Sequence, residues 1–76
     1  MQELNNIEKQ QKPFVQRLIK ESNEIQEKIK KLNIFLLTPT YKKLTFMEKF
    51  YLKKQLKYMI LYKAVVDKRI DLAVLK

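Results

Sequence analysis

The sequence predicts an all-α protein: an antiparallel two-helix hairpin with arms over about 13–37 and 46–75, assembling into a helical-bundle homo-oligomer. Three observations carry this. From Val15 onward apolar residues recur with the heptad spacing of a packed helix. Pro39 breaks the chain near its middle, while neither arm contains glycine and the second contains no proline. The second arm is also too apolar for the first to cover it.

Residues 1–12 are polar, with Leu4 and Ile7 as the apolar residues beyond the start. They are expected to form an N-terminal arm, either a frayed helical turn or disordered, ahead of a hairpin domain over 13–76. Pro13 suits the first position of a helix, where its missing N–H costs nothing. Val15, Ser22, Ile29 and Leu36 then form one row of the heptad, and Leu18, Ile25 and Leu32 the other. Ser22 alone interrupts this seam. Glu24–Lys28 and Glu27–Lys31 are spaced for ion pairs on the opposite face.

Thr38-Pro39-Thr40 ends the first arm, and the short linker through Leu44 folds the next helix back beside it. Thr45-Phe46-Met47-Glu48 reads as a capping box, in which the threonine hydroxyl and the glutamate carboxylate each accept from the other's backbone N–H. The second arm carries one seam of Leu52, Leu56, Met59, Val66, Ile70 and Ala73, with Lys63 interrupting. A second stripe holds Tyr51, Tyr58, Tyr62, Val65 and Leu72, and Phe50 and Leu61 lie on a third side. One neighbour can bury only one of these faces, so a dimer or tetramer built mainly on this helix is expected.

Composition bounds the function. At 76 residues the chain is near the size where a single core barely suffices, and it has no cysteine to staple it. With neither Cys nor His a structural zinc site is excluded, and the commonest general base and strongest nucleophile are missing. No glycine means no glycine-rich phosphate loop. A binding protein is expected, not an enzyme, with no metal and no cofactor. The first twelve residues show no secretory signal, and the longest uncharged run, Leu32–Tyr41, is about half of a bilayer span. A cytoplasmic protein without a membrane span is expected.

Charge is distributed unevenly. Between Lys28 and Lys63 ten lysines face one carboxylate, Glu48, while the remaining basic and acidic residues balance, so the whole formal charge of +9 belongs to the middle. In a hairpin this becomes one cationic pole that draws anions. Lys30, Lys31, Lys42, Lys43, Lys53, Lys54 and Lys57 form the anion-attracting cluster; the competing reading is a solvated face that keeps the oligomer soluble. Arg17 and Arg69, the two arginines, lie toward the open end at comparable height and suit a bidentate grip on phosphate. Arg17 also has Glu21 one turn on, and Arg69 has no acidic residue at i±4. Tyr51, Tyr58 and Tyr62 share a face with Gln55 and Arg69, an arrangement suited to nucleobases as well as to an ordinary interface.

The order Phe14-Val15, Arg17-Leu18, Glu21, Ile25, Lys28-Ile29, Leu32, Phe35-Leu36, Tyr41, Leu44, Leu52, Gln55-Leu56, Met59, Tyr62, Val66, Arg69-Ile70 resembles a family of short phage-encoded proteins related to a small protein of crAss-like phages. Its most specific pieces are the run KIKKLNIFL and the pattern Q-L-x-x-M-x-x-Y that leads to Arg-Ile. Such relatives carry more acid between Tyr41 and Leu52; here Lys42, Lys43 and Lys49, with the uncharged Thr45 among them, make that stretch basic, which bears on ligand choice. The resemblance implies a phage accessory protein in the bacterial cytoplasm. By analogy with other small oligomeric phage hairpins, it implies a sponge for the cyclic nucleotides of CBASS or Thoeris defence.

The function expected is therefore sequestration of a cyclic oligonucleotide between subunits, without catalysis. Arg17, Lys28 and Arg69 would hold phosphates, Tyr41 and Tyr62 would stack on bases, and Gln55 would read a base edge. Two alternatives stand beside it: a protein-binding inhibitor of a host defence enzyme, and nonspecific binding of DNA or RNA by the cationic pole. A peripheral membrane role fits less well, because self-association would hide the apolar seam.

Overall fold

The computed structural model describes residues 13–75, so the N-terminal arm expected over residues 1–12 lies outside the described residues. Three helices follow in order: α1, Pro13–Phe35; α2, Pro39–Lys42; and α3, Phe46–Val74. No strand occurs among the described residues. The two long helices pack side by side along a rod of 53 × 23 × 13 Å, with the bend at one end.

The bend differs from the linker expected. The first arm stops at Phe35 rather than Leu37 because its last carbonyls are taken by tight turns. The N–H of Leu37 reaches the Ile34 carbonyl and that of Thr38 the Phe35 carbonyl, each at 3.0 Å. The Thr38 hydroxyl then serves both sides, donating to the Phe35 carbonyl at 2.6 Å and accepting from the Tyr41 N–H at 3.3 Å. It closes α1 and caps α2, with Pro39 at the start of that short helix. The capping box of α3 forms as expected. The Glu48 N–H donates to the Thr45 hydroxyl at 3.1 Å, and the Thr45 N–H donates to the Glu48 carboxylate at 3.3 Å.

The heptad rows of α1 face inward: Val15, Leu18, Ser22, Ile25 and Ile29 are buried. They meet the expected seam of α3, where Val66 is fully enclosed and Leu56, Met59 and Ile70 pack around it. The two polar interruptions, Ser22 and Lys63, solve each other through Asp67. The buried Ser22 hydroxyl donates to one Asp67 carboxylate oxygen at 2.5 Å, and Lys63 Nζ pairs with the other at 2.7 Å. A buried hydroxyl with a partner avoids the cost of an unmet hydrogen bond.

The other i,i+4 pairs do not form. Among the described residues the ion pair within 4 Å is Lys63–Asp67, and Glu24–Lys28, Glu27–Lys31 and Arg17–Glu21 stay apart. Exposed pairs gain little Coulomb energy in water and lose side-chain freedom. Most of α3 remains uncovered: Met47, Phe50, Tyr51, Tyr58, Leu61, Tyr62, Val65 and Leu72 are all about half exposed.

Candidate functional site

One flank of α3, beside its contact with α1, holds a groove of about 680 Å3 lined by Tyr51, Lys54, Gln55, Tyr58, Met59 and Tyr62. The spacing 51, 54, 55, 58, 62 is a continuous strip along one helix face, each residue three or four from the next. Three rings line an apolar trough, and Gln55 supplies an amide beside them. The two ends differ chemically. At one, Lys54 Nζ lies 5.3 Å from the Phe50 ring centroid, a cation held near the groove wall. At the other, eight residues or roughly 12 Å further along the helix, the Tyr62 hydroxyl donates to the Glu21 carboxylate of α1. The groove is cationic at its bend end and hydrogen-bond-accepting at its open end.

The six residues expected to grip a ligand do not gather in one chain. Gln55 and Tyr62 lie in the groove. Tyr41 is 7% exposed and packs into the bend, edge-on to Phe35 at 6.3 Å with Lys49 Nζ 5.6 Å from its centroid. The structure gives this ring a packing role, because the tight bend closes α2 onto the end of α1. Lys28 lies on the outer face of α1, in a shallow trough of about 580 Å3 with Lys20, Glu24, Glu27 and Lys31. Arg69 sits at the open end, beside a small cavity of about 210 Å3 formed with Phe14, Leu18, Leu72 and Ala73. Arg17 is exposed on α1. Among the described residues neither arginine has a hydrogen-bonded or ion-paired partner.

Of the anion-attracting cluster, Lys30, Lys31, Lys42, Lys43, Lys53, Lys54 and Lys57 are all exposed. Glu48, the acid among them, is engaged at the cap of α3, where one of its carboxylate oxygens accepts from the Thr45 N–H and hydroxyl. Met59, a residue of the helix seam, also floors the groove, because it lies at the boundary between the two faces. Among the described residues no cluster of three or more metal-ligating side chains occurs, and no helix is long and apolar enough to cross a membrane.

The sequence profile described as Sequestin matches residues 12–72, most of the chain. The chain belongs to the Sequestin family. The Sequestin match begins just before α1 and ends at Leu72 of α3, so the helix pair, the bend and the whole tyrosine groove fall within it. The Sequestin name speaks of sequestration, that is, of binding something. No curated protein and no solved structure matches the chain.

Proposed function

We propose that this Sequestin takes up a phosphate-bearing ligand, a cyclic oligonucleotide used as an immune signal, and holds it without chemistry. It would act as a phage accessory protein that lowers the free signal in the host cytoplasm. The observation that carries this reading is the tyrosine groove with its unlike ends. Its volume falls within the range of small-molecule sites. Tyr51 and Tyr58 offer faces for base stacking, and Gln55 offers a donor and an acceptor to a base edge. Lys54 suits a phosphate, while the carboxylate of Glu21 suits a ribose hydroxyl or base N–H and would repel a second phosphate there. The lysine-rich pole raises the encounter rate without having to touch the bound molecule. The uncovered apolar side of α3 supports self-association, so that an oligomer holds the ligand.

The test is a thermal-stability panel of cyclic di- and trinucleotides. A bound member at a hundredfold over its dissociation constant raises stability by about 2.7 kcal/mol. Tyr58→Ala and Lys54→Ala are each expected to remove most of that gain, and recovered nucleotide is expected to be intact. A panel with no shift, or one whose nucleotides come back cleaved, overturns the proposal.

A further inference from the structure

We propose that the bend end of the hairpin is a membrane-docking tip, which seats on a bilayer surface rich in anionic phospholipid and leaves most of the tyrosine groove in water. The proposal rests on no residue of the groove and so stands apart from the ligand reading.

Four large apolar side chains lie uncovered at the bend. Leu37, in the turn after α1, is 84% exposed and Phe46, at the start of α3, is 81% exposed, while Ile34 and Met47 beside them are more than half exposed. Apolar side chains scattered singly over a surface are ordinary, but a group of them among cations marks a site of contact. Leu37 and Phe46 sit at the end of a rod 23 × 13 Å across, which puts both within reach of one flat surface. Self-association along α3 would hide its apolar seam but not these four, none of which belongs to it. The bend also holds them in one shape. The Thr38 hydroxyl ties the Phe35 carbonyl to the Tyr41 N–H, and Thr45 and Glu48 cap α3. Little ordering cost then remains to be met on docking.

Charge names the partner. Between residues 30 and 53 the chain carries six lysines and one carboxylate, Glu48, which is held at the cap. Lys42 and Lys43 are exposed in the bend itself. Apolar side chains set among lysines match a headgroup layer, in which acyl chains take the first and anionic phosphates the second. Lysine stems are long enough to reach back to those phosphates while the tip enters. A nucleic acid would use the lysines and gain nothing from Leu37 or Ile34. Both arginines, the better residues for gripping a phosphate backbone, are Arg17 and Arg69 at the far end. Leu75 at that open end is 83% exposed too, but Asp67 and Asp71 offset Lys68 and Arg69 there, so the cationic setting is missing.

Depth agrees with this orientation. Interfacial segments enter roughly 5–10 Å into the boundary between headgroups and acyl chains. Tyr51 and Tyr62, at the two ends of the groove, lie roughly 8 and 24 Å from Phe46 along α3. With the rod standing on its bend, Tyr51 reaches the interface and the rest of the groove stays in water.

Vesicle sedimentation with the full chain tests the tip. Vesicles of phosphatidylcholine with about 30% phosphatidylglycerol are expected to bind it tenfold or more tighter than phosphatidylcholine alone. The double variants Leu37→Ser/Phe46→Ser and Lys42→Glu/Lys43→Glu are each expected to weaken that binding tenfold or more, whereas Leu75→Ser leaves it unchanged. All five side chains are exposed, so circular dichroism should show native helix content in each variant. The chain has no tryptophan, so Phe46→Trp provides a single reporter. Its emission should shift to the blue on anionic vesicles and be quenched by brominated lipid. No binding to the anionic vesicles overturns the proposal, and so does binding that survives Leu37→Ser/Phe46→Ser unchanged or a Phe46→Trp emission that stays unshifted. Tight binding of duplex DNA with no vesicle binding assigns the pole to nucleic acid instead. A changed oligomeric state in Leu37→Ser/Phe46→Ser, with no vesicle binding by the native chain, assigns the tip to contact between copies. The nucleotide panel reads the groove separately, so its failure leaves the tip standing.

Discussion

Asp67 is the residue on which the polar interior turns. It accepts from Lys63 on its own helix and from Ser22 across the interface, and these contacts, Lys63 first, hold its carboxyl below the ordinary value of 3.8 against the opposing effect of burial. A carboxylate with a lowered folded-state pKa contributes stability above its unfolded value and loses it as pH falls through the folded value. Melting temperature is therefore expected to hold steady from neutral pH to about 5 and to fall below about 4. Asp67→Asn should lower the melting temperature at neutral pH and flatten part of that acid drop. Scanning calorimetry across this range checks both, and an unchanged acid slope in the variant would show that Asp67 is not the group responsible. Ser22 and Lys63 each look like faults in a heptad when read alone. Their distance in sequence from one another hides the common partner.

At the scale of the element, the helix ends are where local chemistry decides the structure. Thr45 and Glu48 exchange hydrogen bonds at the start of α3, and Thr45→Ala is expected to cost about 1 kcal/mol, read as a lower midpoint in urea with an unchanged slope. The capping box, the helix faces and the fold-back were legible in the sequence because each rests on residues within one turn or one heptad. The short helix α2 was not, since Thr38-Pro39 signals a stop and the same pair also starts a new helix. The candidate site was legible by half. Periodicity gives the angle of a residue about its helix, which placed Gln55, Tyr62 and Arg69 on a shared face. It gives no information on which of them meet, and Arg69 lies more than two turns beyond Tyr58. The burial of Tyr41 was not legible, because an aromatic in a bend carries no periodic mark of burial.

For the molecule as a whole, the proposed roles of the cationic pole and the groove differ in range, and salt would tell them apart. A ligand held by one or two cations in the groove should lose less than about tenfold in affinity between about 50 and 200 mM salt, whereas nonspecific DNA held by the full pole should lose several powers of ten. Fluorescence anisotropy with a labelled cyclic dinucleotide and a labelled duplex makes the comparison directly. A steep loss for the small ligand would move its site from the groove to the pole. The hydroxyl of Ser22 has a last consequence on this scale. A pair of rods studded with near-identical greasy knobs every seven positions can slip by one notch and still fit. Here a slip would strand one alcohol in oil and deprive an acid of its mate, so the lone polar tooth acts as a keyway that fixes how far each arm extends past the other.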